Sequence, residues 1–100
     1  MIIWDLKTAN DAHPKAFRYA VKRYRYDLQA YHYCRVMSLV SDEQWTRFQF
    51  AVVCSVPPHR VEVFRVSDET MAAAGVEWRE LVAQYVQGDY SFTTGEMFYV

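Results

Sequence analysis

Ile2-Ile3-Trp4-Asp5-Leu6-Lys7-Thr8 is the stretch on which the fold turns. Three apolar residues run straight into an acid and a base two positions apart. A short apolar run of this kind predicts a buried strand over residues 2–7, and its unbroken start favours a central strand covered on both faces. Side chains alternate along a strand, so Asp5 and Lys7 leave it on the same side. A carboxylate and an ammonium on one face can hold a divalent cation and steady a phosphate beside it. They can equally be an ordinary surface ion pair, and the rest of the chain has to decide between the two.

The 100 residues predict a single domain. The chain is 52% apolar and 17% aromatic, which excludes a disordered polymer. No apolar run approaches the roughly 20 residues of a membrane span. Asp5 and Lys7 interrupt the N-terminal apolar run too early for a secretory signal. Cys34 and Cys54 are too few for a disulfide framework, and both read as reduced, buried cysteines of a cytoplasmic protein. The formal net charge is −1, unevenly placed. Residues 1–35 carry seven Lys/Arg against three Asp/Glu, and residues 36–100 carry four against nine. A basic half beside an acidic half points to a surface for polyanions, although solvated charged helices have the same composition.

Beyond the first strand, Asp11 or His13 can cap a helix over 14–24 that carries Pro14 in its first turn. Phe17, Ala20, Val21 and Tyr24 make its apolar stripe. Lys15, Arg18, Lys22 and Arg25 recur on another stripe, suited to phosphates or simply to water. A second helix over 27–39, with Asp27 as its N-cap, is apolar nearly all round and should be largely buried. Gln29 and Tyr33 lie one turn apart on it and share a face. Strands come next over 47–54 and 60–66, joined by the stiff Pro57-Pro58 turn. In the second of these, Val61 and Val63, with Phe64 as a further candidate, should face the core and Arg60, Glu62 and Arg65 the solvent. A long helix over 68–87 is capped by Ser67 and stopped by Gly88, with Met71, Ala74, Trp78, Leu81, Val82, Tyr85 and Val86 as its buried stripe. The aromatic segment 89–100 should pack on the domain or on a partner. The expected architecture is α/β, a three-stranded mixed sheet with three helices. His13, His32 and His59 have no metal-ligand spacing. With glycine only at 75, 88 and 95, no glycine-rich phosphate loop is possible.

This order of elements, with Ile3-Trp4-Asp5-Leu6-Lys7-Thr8 followed by Tyr24-Arg25-Tyr26-Asp27-Leu28-Gln29-Ala30 and Tyr33, resembles the PD-(D/E)XK nuclease superfamily, and within it the RecE-like phage and prophage exonucleases. The resemblance implies a restriction-endonuclease-like core lacking its N-terminal strands, and a Mg²⁺- or Mn²⁺-dependent hydrolysis of DNA. By the same resemblance, Asp5 and the Leu6 backbone carbonyl would be metal ligands. Lys7 would act on the attacking water and the phosphorane-like charge, with Gln29 and Tyr33 positioning it. Lys15, Arg18, Lys22 and Arg25 would touch the DNA backbone. The superfamily's further metal-binding acid has no counterpart here, so the resemblance implies a truncated or decayed nuclease domain. The alternative is an inactive nuclease-like module that binds DNA or dimerises. The free edge of the first strand should be covered, by a second copy or by the C-terminal segment.

Overall fold

The structure is a computed structural model and describes residues 1–88. The elements in chain order are β1 (Ile2–Ala9), α1 (Pro14–Tyr24), α2 (Tyr26–Val40), β2 (Arg47–Cys54), β3 (Val61–Arg65) and α3 (Asp68–Val86). The strands form one mixed sheet in the order β1-β2-β3. β1 runs parallel to β2, with Asp5 opposite Phe50 and Lys7 opposite Val52. β3 runs antiparallel to β2, with Phe64 opposite Phe50. The α/β reading and all six elements hold, with boundaries shifted by one or two residues. Segment 89–100, expected to pack on the domain or a partner, lies outside the described residues.

The core lies on the helical side of the sheet. Phe48, Phe50 and Val52 alternate along β2 and are fully buried. Phe17 of α1 and Ala30 and Cys34 of α2 close over them. The rings interlock: Phe17 stacks on Phe64 at 4.5 Å and meets Phe50 edge-on at 5.3 Å. Such pairs add about 0.5–1.5 kcal/mol each beyond the area they bury.

Four expectations need correction. β1 is an edge strand of the described sheet, not a central one, and its burial alternates along its length. Ile3, Asp5, Lys7 and Ala9 turn towards the helices, while Trp4 and Leu6 stay 56% and 68% exposed. Second, β3 presents Phe64 to the core, and Val61 and Val63 lie on the open face. Register decides this. Phe64 faces Phe50 across the ladder, so Val61 and Val63, three and one residues before it, fall on the opposite face. Third, α2 is only partly buried, with Ala30 and Cys34 its buried residues. Its first helical residue is Tyr26, not a residue after an Asp27 cap. Arg25, at φ 55°, is at once the last cap of α1 and the N-cap of α2, so the two helices meet through one left-handed residue.

The fourth concerns α3. Met71, Ala74 and Trp78 do turn inward, but Leu81, Val82, Tyr85 and Val86 are exposed. α3 packs antiparallel to α2: Glu77 meets Arg25, and Gly75 meets Tyr31 further along. Gly75 is required where it stands, because a Cβ there would come within 2.8 Å of the Tyr31 ring. His13 caps α1 by accepting the Lys15 amide, and Asp11 accepts the His13 amide, so both candidate caps take part. Ser67 accepts the Thr70 amide at the start of α3, as its position predicts.

Candidate active site

Alternation along β1 sends Asp5 and Lys7 together to the helical side, where α2 begins. Both are about three-quarters shielded from solvent. The Lys7 Nζ lies 3.0 Å from Asp5 Oδ2. That contact is an ion pair without hydrogen-bond geometry, and Oδ2, shielded from solvent, has no hydrogen-bond partner among the described residues. The ammonium instead donates to Gln29 Oε1 at 3.2 Å. It also sits 4.3 Å above the centre of the Tyr26 ring. A cation over an aromatic face gains about 0.5–2 kcal/mol, more as water is excluded.

Gln29 is held in turn from the other side. Its Nε2 donates to Tyr33 Oη at 3.4 Å, and the Tyr33 ring stacks near Phe48 at 6.2 Å. The i, i+4 spacing on α2 makes this file possible. The side-chain order Asp5, Lys7, Gln29, Tyr33 is therefore continuous in space, although residues 7 and 29 are far apart in the chain. Tyr26 is the site residue that sequence reasoning missed. It stands three before Gln29, on the same side of α2, and that spacing was the available signal. Its ring also packs on Phe17 and Phe50, at 6.1 Å and 5.7 Å, so the floor under Lys7 is continuous with the core.

The basic residues of α1 lie elsewhere. Arg18, Lys22 and Arg25 line an open groove between α1, β3 and the start of α3, floored by Phe17 and Phe64. Neither Asp5 nor Lys7 lines that groove. Lys15 is exposed nearby on the same helix. Arg25 is occupied twice over. It forks onto Asp27 through Nε and Nη2 and onto Glu77 through Nη1 and Nη2. Those bonds hold its guanidinium charged, and they keep the Glu77 carboxyl below its ordinary range. Arg25 is thus the clasp between the α1–α2 corner and α3.

The superfamily implies a divalent cation, and the donors can be tested against one. A hard cation takes about six oxygens. Asp5 offers a carboxylate whose shielded Oδ2 makes no hydrogen bond and faces only the Lys7 ammonium, which fits one ligand position. Lys7 beside it limits the added positive charge that the position tolerates. Among the described residues no three His, Cys, Asp or Glu side chains gather in a cluster that could hold a metal. The fit is that of one part of a metal site.

A three-stranded mixed sheet with helices packed on one face, and an Asp-x-Lys pair at its edge supported by a Gln-x-x-x-Tyr helix, is the layout of a PD-(D/E)XK-type core. A family model described as a PDDEXK-like domain of unknown function, DUF3799, matches residues 1–89, and the chain belongs to that family. No curated protein matches the chain. Among the described residues no helix is long and apolar enough to cross a membrane.

Proposed function

We propose that this chain is part of a metal-dependent DNA exonuclease of RecE-like type, of phage or prophage recombination, acting in the cytoplasm. The observation that carries the reading is the Lys7 ammonium, set beside Asp5 and held between Gln29 and the Tyr26 ring. A lysine fixed on three sides has little rotamer freedom left to lose when it meets a substrate.

Asp5 and the Leu6 carbonyl would hold Mg²⁺ or Mn²⁺, and a bound ion of this kind supplies Lewis acidity and a more acidic water. The chain's own residues do the rest. Lys7 places positive charge where negative charge builds up on the phosphate oxygens, and it orients the attacking water. Gln29 fixes the position of the lysine by accepting one of its protons in a hydrogen bond, and Tyr33 fixes Gln29. The Tyr26 ring closes the underside of the ammonium against water. Lys15, Arg18 and Lys22 contact backbone phosphates without reading sequence. Arg25 contributes to the same positive field while clasping Glu77.

A second reading is favoured by the single acid at the site. Here the chain is an inactive nuclease-like module that binds DNA through α1. One experiment separates the two. Linear duplex DNA is incubated with the chain and Mg²⁺ or Mn²⁺, beside Lys7→Ala and Asp5→Asn. Loss of digestion by at least a hundredfold in both variants is the expected result. Digestion that survives both substitutions refutes the assigned site. Salt-sensitive binding without digestion or metal dependence establishes the module.

A further inference from the structure

We infer that Tyr24, with Arg23 beside it, is a stacking platform for an unpaired base of the DNA strand whose phosphate meets Lys7. The inference deepens the nuclease reading, and it rests on that reading only for the phosphate at Lys7. The end of α1 supplies the first observation. Phe17, Ala20, Val21 and Tyr24 form one apolar stripe, and the first three are buried or partly buried, yet Tyr24 stays 60% exposed. A lone exposed ring would need no explanation. Tyr24 is not alone. Its ring stacks on that of Tyr26, with centroids 5.7 Å apart and planes 27° from parallel. Tyr26 in turn carries the Lys7 ammonium 4.3 Å from its ring centre. At the other end, the Arg23 guanidinium carbon lies 5.6 Å from the centre of the Tyr24 ring. Cation, ring, ring and cation therefore follow one another from the candidate active site to the surface.

The corner that builds this row is fixed. Arg25 stands between the two tyrosines at φ 55°, a left-handed conformation that a residue other than glycine keeps only when its surroundings impose it. Its guanidinium is bonded to Asp27 and to Glu77. The rings are thus set in place before any ligand arrives.

The chemistry of the row selects its ligand. α1 contains no acidic residue. Lys22 and Arg23 lie in its last turn, exposed and without an acid partner among the described residues. Positive charge beside an open aromatic face suits a ligand that is anionic along its backbone and flat in its side groups. A nucleic-acid strand is both: its phosphates meet the cations, and a base of any identity lies on the ring. Guanidinium planes also stack on bases, so Arg23 can close over the far side of the base. Distance agrees. The two steps from Lys7 through Tyr26 put the Tyr24 ring centre no more than about 10 Å from the ammonium. Stacked nucleotides advance about 3.4 Å each along a strand, so the platform lies within about three nucleotides of a phosphate held at Lys7. In a duplex the neighbouring base pairs cover both faces of a base. A duplex end therefore has to open before a base reaches Tyr24.

The test reads binding in EDTA, where metal-dependent digestion is silent. Fluorescence anisotropy compares the full chain on an oligothymidylate, an abasic strand of the same length and a blunt duplex of that length. The oligothymidylate should bind at least tenfold tighter than the abasic strand. Tyr24→Ala should remove that preference and leave binding of the abasic strand and the duplex unchanged. Tyr24→Phe, which keeps the ring, should retain the preference. No binding to the oligothymidylate, equal affinity for the abasic strand, or a Tyr24→Ala loss that falls on all three probes alike, as mere unsettling of Tyr26 would give, overturns the inference. A strand that binds by these rules and is not cut once Mg²⁺ or Mn²⁺ is added leaves the platform standing and sinks only the catalytic reading.

Discussion

Replacing Phe50 with alanine should cost about 3–5 kcal/mol of stability, and the structure gives the reason for the size. Phe50 is 1% exposed at the middle of the central strand β2. Its ring lies 5.3 Å from Phe17, 5.7 Å from Tyr26 and 5.0 Å from Phe48, measured between centroids. In the ladders it stands opposite Asp5 on one side and Phe64 on the other. Truncation therefore removes the ring that three elements share, and the neighbours are themselves aromatic and cannot collapse into the space. Small domains are stable by only about 5–15 kcal/mol, so the variant should be near its unfolding threshold at room temperature. Urea titration followed by tryptophan fluorescence measures the change, with Phe50→Leu as a milder companion that keeps most of the apolar volume. Because Tyr26 loses its support, the Lys7 position should loosen as well. A loss below about 1 kcal/mol for Phe50→Ala, the size of an ordinary substitution, would refute the idea that one aromatic hub joins the core to the site.

Burial pushes the Cys34 thiol above its ordinary range, and the residue is 3% exposed on the core side of α2, whereas Cys54, also expected to be buried, is only partly so. At pH 8 it should alkylate at least tenfold more slowly than Cys54 in the native chain, and equally fast in urea; equal native rates would place Cys34 at the surface. The Glu77 carboxyl is held below its ordinary value of 4.5 by its bonds to Arg25. A depressed folded value means that the stabilisation is present above pH 4.5 and is lost as the pH falls through the folded value. Glu77→Gln should therefore flatten the acid limb of the stability curve, and an unchanged limb would show that the Arg25 clasp is idle.

The candidate site was legible because its chemistry is local in pattern. Asp5 and Lys7 share a face through the two-residue period of a strand, and Gln29 and Tyr33 share one through the turn of a helix. What joins the two pairs, Lys7 to Gln29, spans a parallel crossover that no local spacing encodes. Tyr26 escaped notice for the same reason. Its role under Lys7 exists only after α2 has been laid against the edge of the sheet.

The apolar patterns were sound as periodicities and misleading as statements of burial. Val61 and Val63 alternate as a core face would, yet they fall on the open side because Phe64 takes the inner one. Leu81, Val82, Tyr85 and Val86 continue the stripe of α3, yet they are exposed. Sequence by itself determined the order and kind of the six elements, the caps of α1 and α3 and the two halves of the site, because these depend on interactions between residues a few positions apart. Only the tertiary structure decided which strand is the edge and which sheet face is covered. It also decided that Arg25 serves as a clasp and that Lys7 rests on Tyr26. Each of these depends on which surfaces meet, and the free energy of such meetings is summed over residues far apart in the chain.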